Sequence, residues 1–573
     1  MDRFVIRQVG CAIAVLSLAT PLRAADATVP GEVSTPYPTI RNLAVEWKIE
    51  ADDNLNATVT VRYRATTAGE LAWRDAMPLR RVQAGQSETT NPIFSWGNKL
   101  SGSIFDLRPD TEYEIALRLT DPDGGQAEKT VKVRTRPVPN APVDAPVRNV
   151  TPNTIRDVKP GEIGLLADGD YGNFVALHDG EPGKPIVYRA AGSGARFIAV
   201  SLKDRKHVYI EGLVIRRNNN HASVDLLGAS DCVVRRCDIE GVFGIRAAGK
   251  PGATNCYIAD NVIKGTTPWT NEAMGAGGKN IGEGIEMTGS GNVICHNRVS
   301  NFRDCISTME DQYTAEQYCI DIYNNDIAVG ADDGIEADFT MGNCRVMRNR
   351  LTNCFVGLSS QPGLGGPTYF VRNLMYNLTY APFKLHRRSS GDVILHNTVI
   401  KPGDGMACFA GIPFDHALFR NNLCIGGPPG DKKWGKYGAG TGNAITLQTV
   451  GPHCDIDHDA VGVWNMPFKG QIGKQAFASP EEMRKGPHEK HGIAVGLDVF
   501  DAVAFPEKPE TLYDPPDLRP RATAAVVDVA QPLANVNDAF GGKGPDIGAY
   551  EAGEPLPTYG PRQQGVDESN ESK

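Results

Sequence analysis

An all-β chain is predicted, a right-handed parallel β-helix preceded by a small β-sandwich, and three features carry that prediction. First, a pattern apolar-x-x-x-Asn-x-apolar returns through the chain, with Gly212, Cys237, Asn261, Asn297, Asn325, Asn349, Asn373, Asn397 and Asn422 at the Asn position. Its last five steps are 28, 24, 24, 24 and 25 residues. A constant period of this size means stacked repeats, because one unit cannot bury its apolar face alone. Second, the runs themselves, such as VICHNRV at 293–299 and VILHNTV at 393–399, are short, β-branched and alternating, which is strand chemistry. Third, residues 33–136 alternate in longer runs such as ATVTVRYRA and EYEIALRLT before the Pro-rich stretch 137–149. A leucine-rich repeat has an overlapping period but needs L-x-x-L-x-L spacing, and that is absent.

Residues 1–25 carry Arg3 and Arg7, an apolar run from Cys11 to Leu18 and small residues near Ala24. This reads as a secretory signal, so the mature chain is expected in a periplasm or outside the cell, without membrane insertion. The stretch LRPDTEYEIAL, 107–117, resembles the end of a fibronectin type III domain, with Tyr113 where that family places a tyrosine-corner residue. Trp47 is the expected core aromatic, and the unit would be a carbohydrate-contacting module or a spacer. The Pro-rich segment is a stiff linker.

The β-helix is expected over 150–430, with an inserted loop around Thr266 to Lys279 where one step widens to 36 residues. Such a loop is placed to wall a cleft. A C-terminal extension and closing segment follow over 431–557, with Asp546 and Glu551 in structural roles. The polar tail 558–573 is expected to be disordered. A formal net charge of −9 excludes a general affinity for nucleic acid. Cys232 and Cys256 fall in one column on adjacent coils, as do Cys319 and Cys344. Stacked coils lie about 4.8 Å apart, so each pair is either bridged or packed as thiols. No spacing suggests zinc.

Aligning the coils on the repeat exposes an acidic column. The strands read GEGIE at 282–286, DCIS at 304–307, DDGIE at 332–336, VGLS at 356–359 and PFKL at 382–385. With Ile285, Ile306, Ile335, Leu358 and Phe383 inward, the column Glu286, Ser307, Glu336, Ser359, Lys384 faces out. A second column holds Glu283, Asp304, Asp333, Val356 and Ala381, while Asp338, Gln361 and His386 lie two residues past the first. Stacked like charges repel, and stability alone does not call for them. They are tolerated where a carboxyl keeps a proton, a cation binds or substrate sits.

The repeat resembles the pectin-lyase-like β-helix superfamily, and 160–174 with 180–190 resembles the opening coils of chondroitinase-B-like and alginate-lyase β-helices. The acidic column resembles the polygalacturonase-type hydrolases, whose Asp before Cys-Ile corresponds to Asp304 and whose acidic residue before Gly-Ile corresponds to Asp333 and Glu283. The Gly-His-Gly coil of those enzymes has no counterpart here, where VGLS stands. The resemblance implies cleavage of an acidic polysaccharide, with Asp304 and Asp333 as acid and base, assisted by Glu336, Glu283 and Lys384. Glu286, Asp332, Asp338, Gln361, His386, Arg387, Arg388 and Arg303 would contact the sugar. The alternative is β-elimination, with Ca²⁺ on Glu283, Glu286, Asp333 and Glu336 and Lys384 as base. A third class is a non-catalytic surface β-helix.

Overall fold

The computed structural model describes residues 26–69, 72–428, 433–566 and 568–569, so the expected signal segment lies outside the described residues apart from its boundary. The chain is a parallel β-helix with an antiparallel unit at its N-terminal end. One flank of the solenoid is a 13-stranded parallel sheet, one strand per coil, from Val147–Val150 to Asp455–Ile456. Its register is strict: Ile294, Ile322, Val346, Phe370 and Ile394 are paired one to the next and point into the core. The alternate residues Val293, Cys295, Tyr323, Tyr369, Val393 and Leu395 pack outward in a second apolar layer against Ile40, Phe105 and Val138. A sheet buried on both faces needs near-continuous apolar strands, and the short VIC and VIL runs satisfy this.

After this sheet each coil turns sharply through a residue of left-handed backbone, at His296, Asn324, Arg348, Arg372, His396 and Asn421. The next residue is the repeating Asn. Each Asn Oδ1 accepts the backbone N–H and the Nδ2–H of the Asn one coil earlier, at 2.9 to 3.1 Å, unbroken from Asn261 to Asn422. All are fully buried. Buried amides must be paired, and a stack of identical side chains pairs every one of them at coil spacing.

The ladder goes one step further than the sequence pattern. Asn422 donates to Asp459 Oδ1 at 2.7 and 2.8 Å, 37 residues on, and parallel strands continue to Ile493–Val495. The helix therefore passes the expected end at 430. Long insertions and a change from Asn to Asp hide its last coils.

The N-terminal unit is a seven-stranded antiparallel arrangement in the order Val29–Ser34, Leu43–Glu50, Lys99–Ile104, Arg74–Val82, Thr58–Ala65, Glu112–Thr120, Ala127–Arg134. Strand Arg74–Val82 pairs with Thr58–Ala65 through its first half and with Lys99–Ile104 through its second. Trp47 is fully buried, and the Tyr113 hydroxyl accepts the Arg108 N–H at 2.9 Å. This unit does not hang on a linker. The buried Arg345–Asp321 pair of the solenoid also receives Thr39 Oγ1 at 2.6 Å and Asn42 Nδ2 at 2.7 Å, and Arg348 grips Asp106 at 2.7 Å. Leaving such partners unpaired in an apolar layer is expensive, so the unit is fastened along the 13-stranded sheet.

The C-terminal extension covers the flank that follows the Asn ladder, where Val499, Phe500, Val526 and Ile547 pack on Leu374, Tyr376, Ile400 and Ile425. Glu551 pairs with Arg372 at 3.0 Å. The tail was expected to be disordered, but its described part is laid against the solenoid: Gly560 N–H reaches Asn324 O at 2.9 Å and Arg562 binds Asp260 at 2.8 Å. Buried charge pairing holds it, which composition does not reveal. All 11 described cysteines are free thiols. The bridged alternative for Cys232 with Cys256 and Cys319 with Cys344 therefore falls, and these thiols fill core volume instead.

Candidate active site

Two flanks of the solenoid are thus covered, one by the N-terminal unit and one by the C-terminal extension. The third carries the charged column, whose outward-facing residues Glu286, Ser307, Glu336, Ser359 and Lys384 are nonetheless buried, at 0 to 8% exposure. Its strands Glu283–Met287, Asp304–Ser307, Asp326–Glu336, Arg350–Ser359 and Phe383–Lys384 pair in the register read from the sequence. Ile285, Ile306, Ile335, Leu358 and Phe383 align inward, and Glu286, Ser307, Glu336, Ser359 and Lys384 align outward. Glu283 pairs with Asp304, and Asp333 with Val356. Coils pass closely here. A Cβ on Gly334 would stand 2.5 Å from Leu351 Cδ2, so the Gly-Ile step is a packing requirement.

The side chains converge. One carboxylate oxygen from each of Asp304, Asp333 and Glu336 lies within 4.8 Å of the others. Lys384 reaches back across the Ser359 coil, in direct contact with Asp333 Oδ2 and 3.5 Å from Glu336 Oε1. Asp304 Oδ1 accepts the Asp333 N–H at 2.7 Å, and Arg303 stands 3.4 Å from Asp304 Oδ2 and 3.5 Å from Asp332. Asp338 accepts Ser359 Oγ at 2.6 Å and the Gln361 N–H at 2.8 Å, while its other oxygen is buried without a hydrogen bond. Glu283 accepts Ser307 Oγ at 3.2 Å.

Electrostatics follow from this crowding. Burial first, then the neighbouring carboxylates, push Glu283, Asp304 and Glu336 well above the usual carboxyl range. The same causes raise Asp332 to about 6 and Asp338 to about 7. Burial alone would lower Lys384, but Asp333, Glu336, Asp338 and Asp332 outweigh it and the ammonium is held well above the ordinary lysine value. That direction is the opposite of the lowered value an elimination base needs.

Other expected contacts are placed elsewhere. Glu286 is tied to Arg246 of the preceding coil, and of the expected calcium ligands Glu283, Glu286, Asp333 and Glu336 only Asp333 and Glu336 share an oxygen group within 4.8 Å, with Asp304. Lys384 already supplies the positive charge beside Asp333 and Glu336. Arg387 pairs with Asp311 at 3.2 Å, and Arg388 with Glu88 of the N-terminal unit at 2.9 Å. Both guanidinium groups are engaged outside the carboxylate cluster. The His386 ring faces Ala410 O through Nδ1 and lies 4.8 Å from the Phe409 ring.

Two participants escape the repeat pattern. Glu310, on the loop after Asp304–Ser307, brings an oxygen within 4.8 Å of Glu336 and Asp338, and Arg246 balances Glu286. The inserted loop lies against this flank. Its Trp269, Ala273 and Met274 pack with Phe355, Tyr380, Trp434 and Tyr437. Beyond Lys384 the same face opens into a cavity of about 410 Å³ lined by Tyr380, Asp404, Phe409, Gly440 and Thr446.

A β-helix whose third flank holds a buried carboxylate–lysine cluster is the class that fold and site define. No protein-family model matches the chain, and no curated protein matches it. Among solved structures, an alginate lyase from Paenibacillus sp. str. FPU-7 is similar over 60% of this chain and 93% of that one, at 13% identity and a TM-score of 0.28. Likeness at that level bears on neither reaction nor substrate.

Proposed function

We propose that this chain is an exported enzyme that cleaves glycosidic bonds of an acidic polysaccharide by carboxylate acid/base chemistry. The observation that carries the proposal is the convergence of Asp304, Asp333 and Glu336 within 4.8 Å around the Lys384 ammonium. Like charges stacked at coil spacing oppose folding, so a buried cluster of them points to use. A glycosidase needs one carboxyl that keeps its proton to the working pH and one that stays ionised. Asp304 and Glu336, raised by burial and by neighbouring carboxylates, fit the donor to the leaving oxygen. Asp333, in contact with the Lys384 cation, fits the base or nucleophile. Arg303, at the rim beside Asp304 and Asp332, is the cation available to an acidic sugar. The N-terminal unit, with its strand order and its Tyr113 hydroxyl bond, is best read as a fibronectin type III-like support along one wall, where Thr89 reaches Arg387 O at 3.0 Å.

The test is a panel of acidic and neutral polysaccharides, followed by reducing ends and by ultraviolet absorbance, on wild type, Asp304→Asn, Asp333→Asn and Glu336→Gln. Hydrolysis predicts reducing ends without absorbance and a loss of about 10²–10⁴-fold in kcat for the Asp variants. Folded Asp variants with full activity would dismiss the assignment. One observation keeps elimination as the second reading: Glu310, Glu336 and Asp338 form an oxygen-only set in which Asp338 has a buried oxygen with no hydrogen bond, which suits Ca²⁺. Rising absorbance that a chelator abolishes would select it.

A further inference from the structure

Away from the acidic flank, the turns at the two ends of strand Asp455–Ile456 repeat one arrangement of side chains. Each begins with an Asp-His dipeptide, Asp415-His416 and Asp457-His458, whose His has left-handed backbone at φ 53° and 64°. Each is completed by a His from the next coil, His453 and His491. In the first, Asp415 Oδ1 accepts the N–H of His416 and of His453, both at 2.9 Å. In the second, Asp457 Oδ1 accepts the N–H of His458 at 2.9 Å and of His491 at 2.8 Å. The other oxygen of each Asp lies 2.9 and 2.8 Å from Nδ1 of the second His. In each trio the two imidazoles face one another, with centroids 4.6 and 4.5 Å apart.

We propose that these trios, Asp415/His416/His453 and Asp457/His458/His491, are two equivalent binding sites for a divalent transition metal of the zinc class. One oxygen and two imidazole nitrogens lie within 4.8 Å of one another in each. Two imidazoles and one carboxylate are the donor set that zinc-like ions prefer, whereas calcium takes oxygens alone. The oxygen that holds both backbone N–H groups fixes the carboxylate, which is the outer-shell support that metal ligands need, and an ion would take its partner oxygen in place of the His453 or His491 Nδ1 contact.

Turn geometry alone does not ask for this composition. The earlier coils make the left-handed corner of His416, before the 13-stranded sheet, with His207, Asp231, Asn255, Cys319 and Asn343, and that of His458, after it, with His296, Asn324, Arg348, Arg372, His396 and Asn421. Paired imidazoles under one shared carboxylate occur at the C-terminal coils, and they occur twice. Parallel rings do not both aim a lone pair at one point, so ligation requires one ring to turn. The second His has the room to do so once its Asp contact is exchanged for the ion, with side-chain exposure of 47% at His453 and 64% at His491. Solvent water completes the coordination at such open positions.

The experiment is calorimetric titration of the metal-stripped full chain with Zn²⁺ in a non-coordinating buffer, with Co²⁺ absorption as a parallel readout. Two equivalents are expected at micromolar affinity, with no matching uptake of Ca²⁺ by these residues. His453→Ala and His491→Ala should each remove one equivalent, and the double variant both. His453→Gln and His491→Gln, which keep a polar side chain, serve if an Ala variant fails to fold. Asp333→Asn should keep both equivalents, which separates this result from the fate of the acidic site. Absence of zinc binding, or stoichiometry unchanged in the folded double variant, would overturn the proposal.

Discussion

Replacing Lys384 with Met tests whether the carboxylate cluster is held by one buried cation. The pair with Asp333 is enclosed, with side-chain exposures of 10% and 0%, and Glu336 stands 3.5 Å from the ammonium. At that distance, and at an effective dielectric of about 20, one such contact is worth about 4–5 kcal/mol before desolvation. Removing one partner of a buried pair costs about 3–5 kcal/mol, because the other charge remains unpaired. Lys384→Met should therefore lose about 3–5 kcal/mol in urea denaturation at pH 8. In wild type the raised lysine pKa means its contribution is complete below the unfolded value of about 10.4 and is lost only as pH rises through the folded one. Its own ionisation thus adds no pH dependence over the neutral range. In the variant Asp304, Asp332, Glu336 and Asp338 lose the cation that lowers them, their folded pKa values rise further, and the deficit grows as pH rises above about 4. Asp333→Asn/Lys384→Met should recover much of the loss, since removing both partners leaves little unpaired. A deficit that is absent at pH 8, or identical at pH 5 and pH 8, would refute this account.

Asn349→Ala removes an acceptor of two bonds, 3.0 Å from Asn325 N and 2.9 Å from Asn325 Nδ2, and should cost at least about 2–3 kcal/mol by the same assay; a neutral result would mean the ladder is ornamental. At the ladder's end, burial first and then Asp459 raise Glu489 well above the usual carboxyl range, and Asp459 is pushed up to about 6. Such groups weaken the fold as pH rises from about 4 through their folded values. Glu489→Gln should flatten the stability profile across that window, and an unaltered slope would contradict the assignment. Denatured, unreduced protein spanning the described residues should titrate 11 thiols, and a total lower by pairs would restore the bridges.

The sequence by itself determined the solenoid, the Asn ladder from Asn261 to Asn422 and the outward order Glu286, Ser307, Glu336, Ser359, Lys384. A parallel β-helix turns a fixed offset along the chain into a fixed offset in space, so residues one period apart must stack. That rule stops where the period stops. The step from Asn422 to Asp459 concealed the last coils, and the trios at Asp415 and Asp457 with them. Tertiary packing decided how the other two flanks are covered, because the N-terminal unit and the segment after Val495 dock through buried pairs such as Arg348–Asp106 and Arg372–Glu551 that no repeat encodes. It also decided which charges meet. Lys384 has the reach to cross a coil to Asp333, while Arg387 and Arg388 were claimed by Asp311 and Glu88. Long side chains and loops choose partners by burial and charge in three dimensions, and their choices leave no period in the sequence.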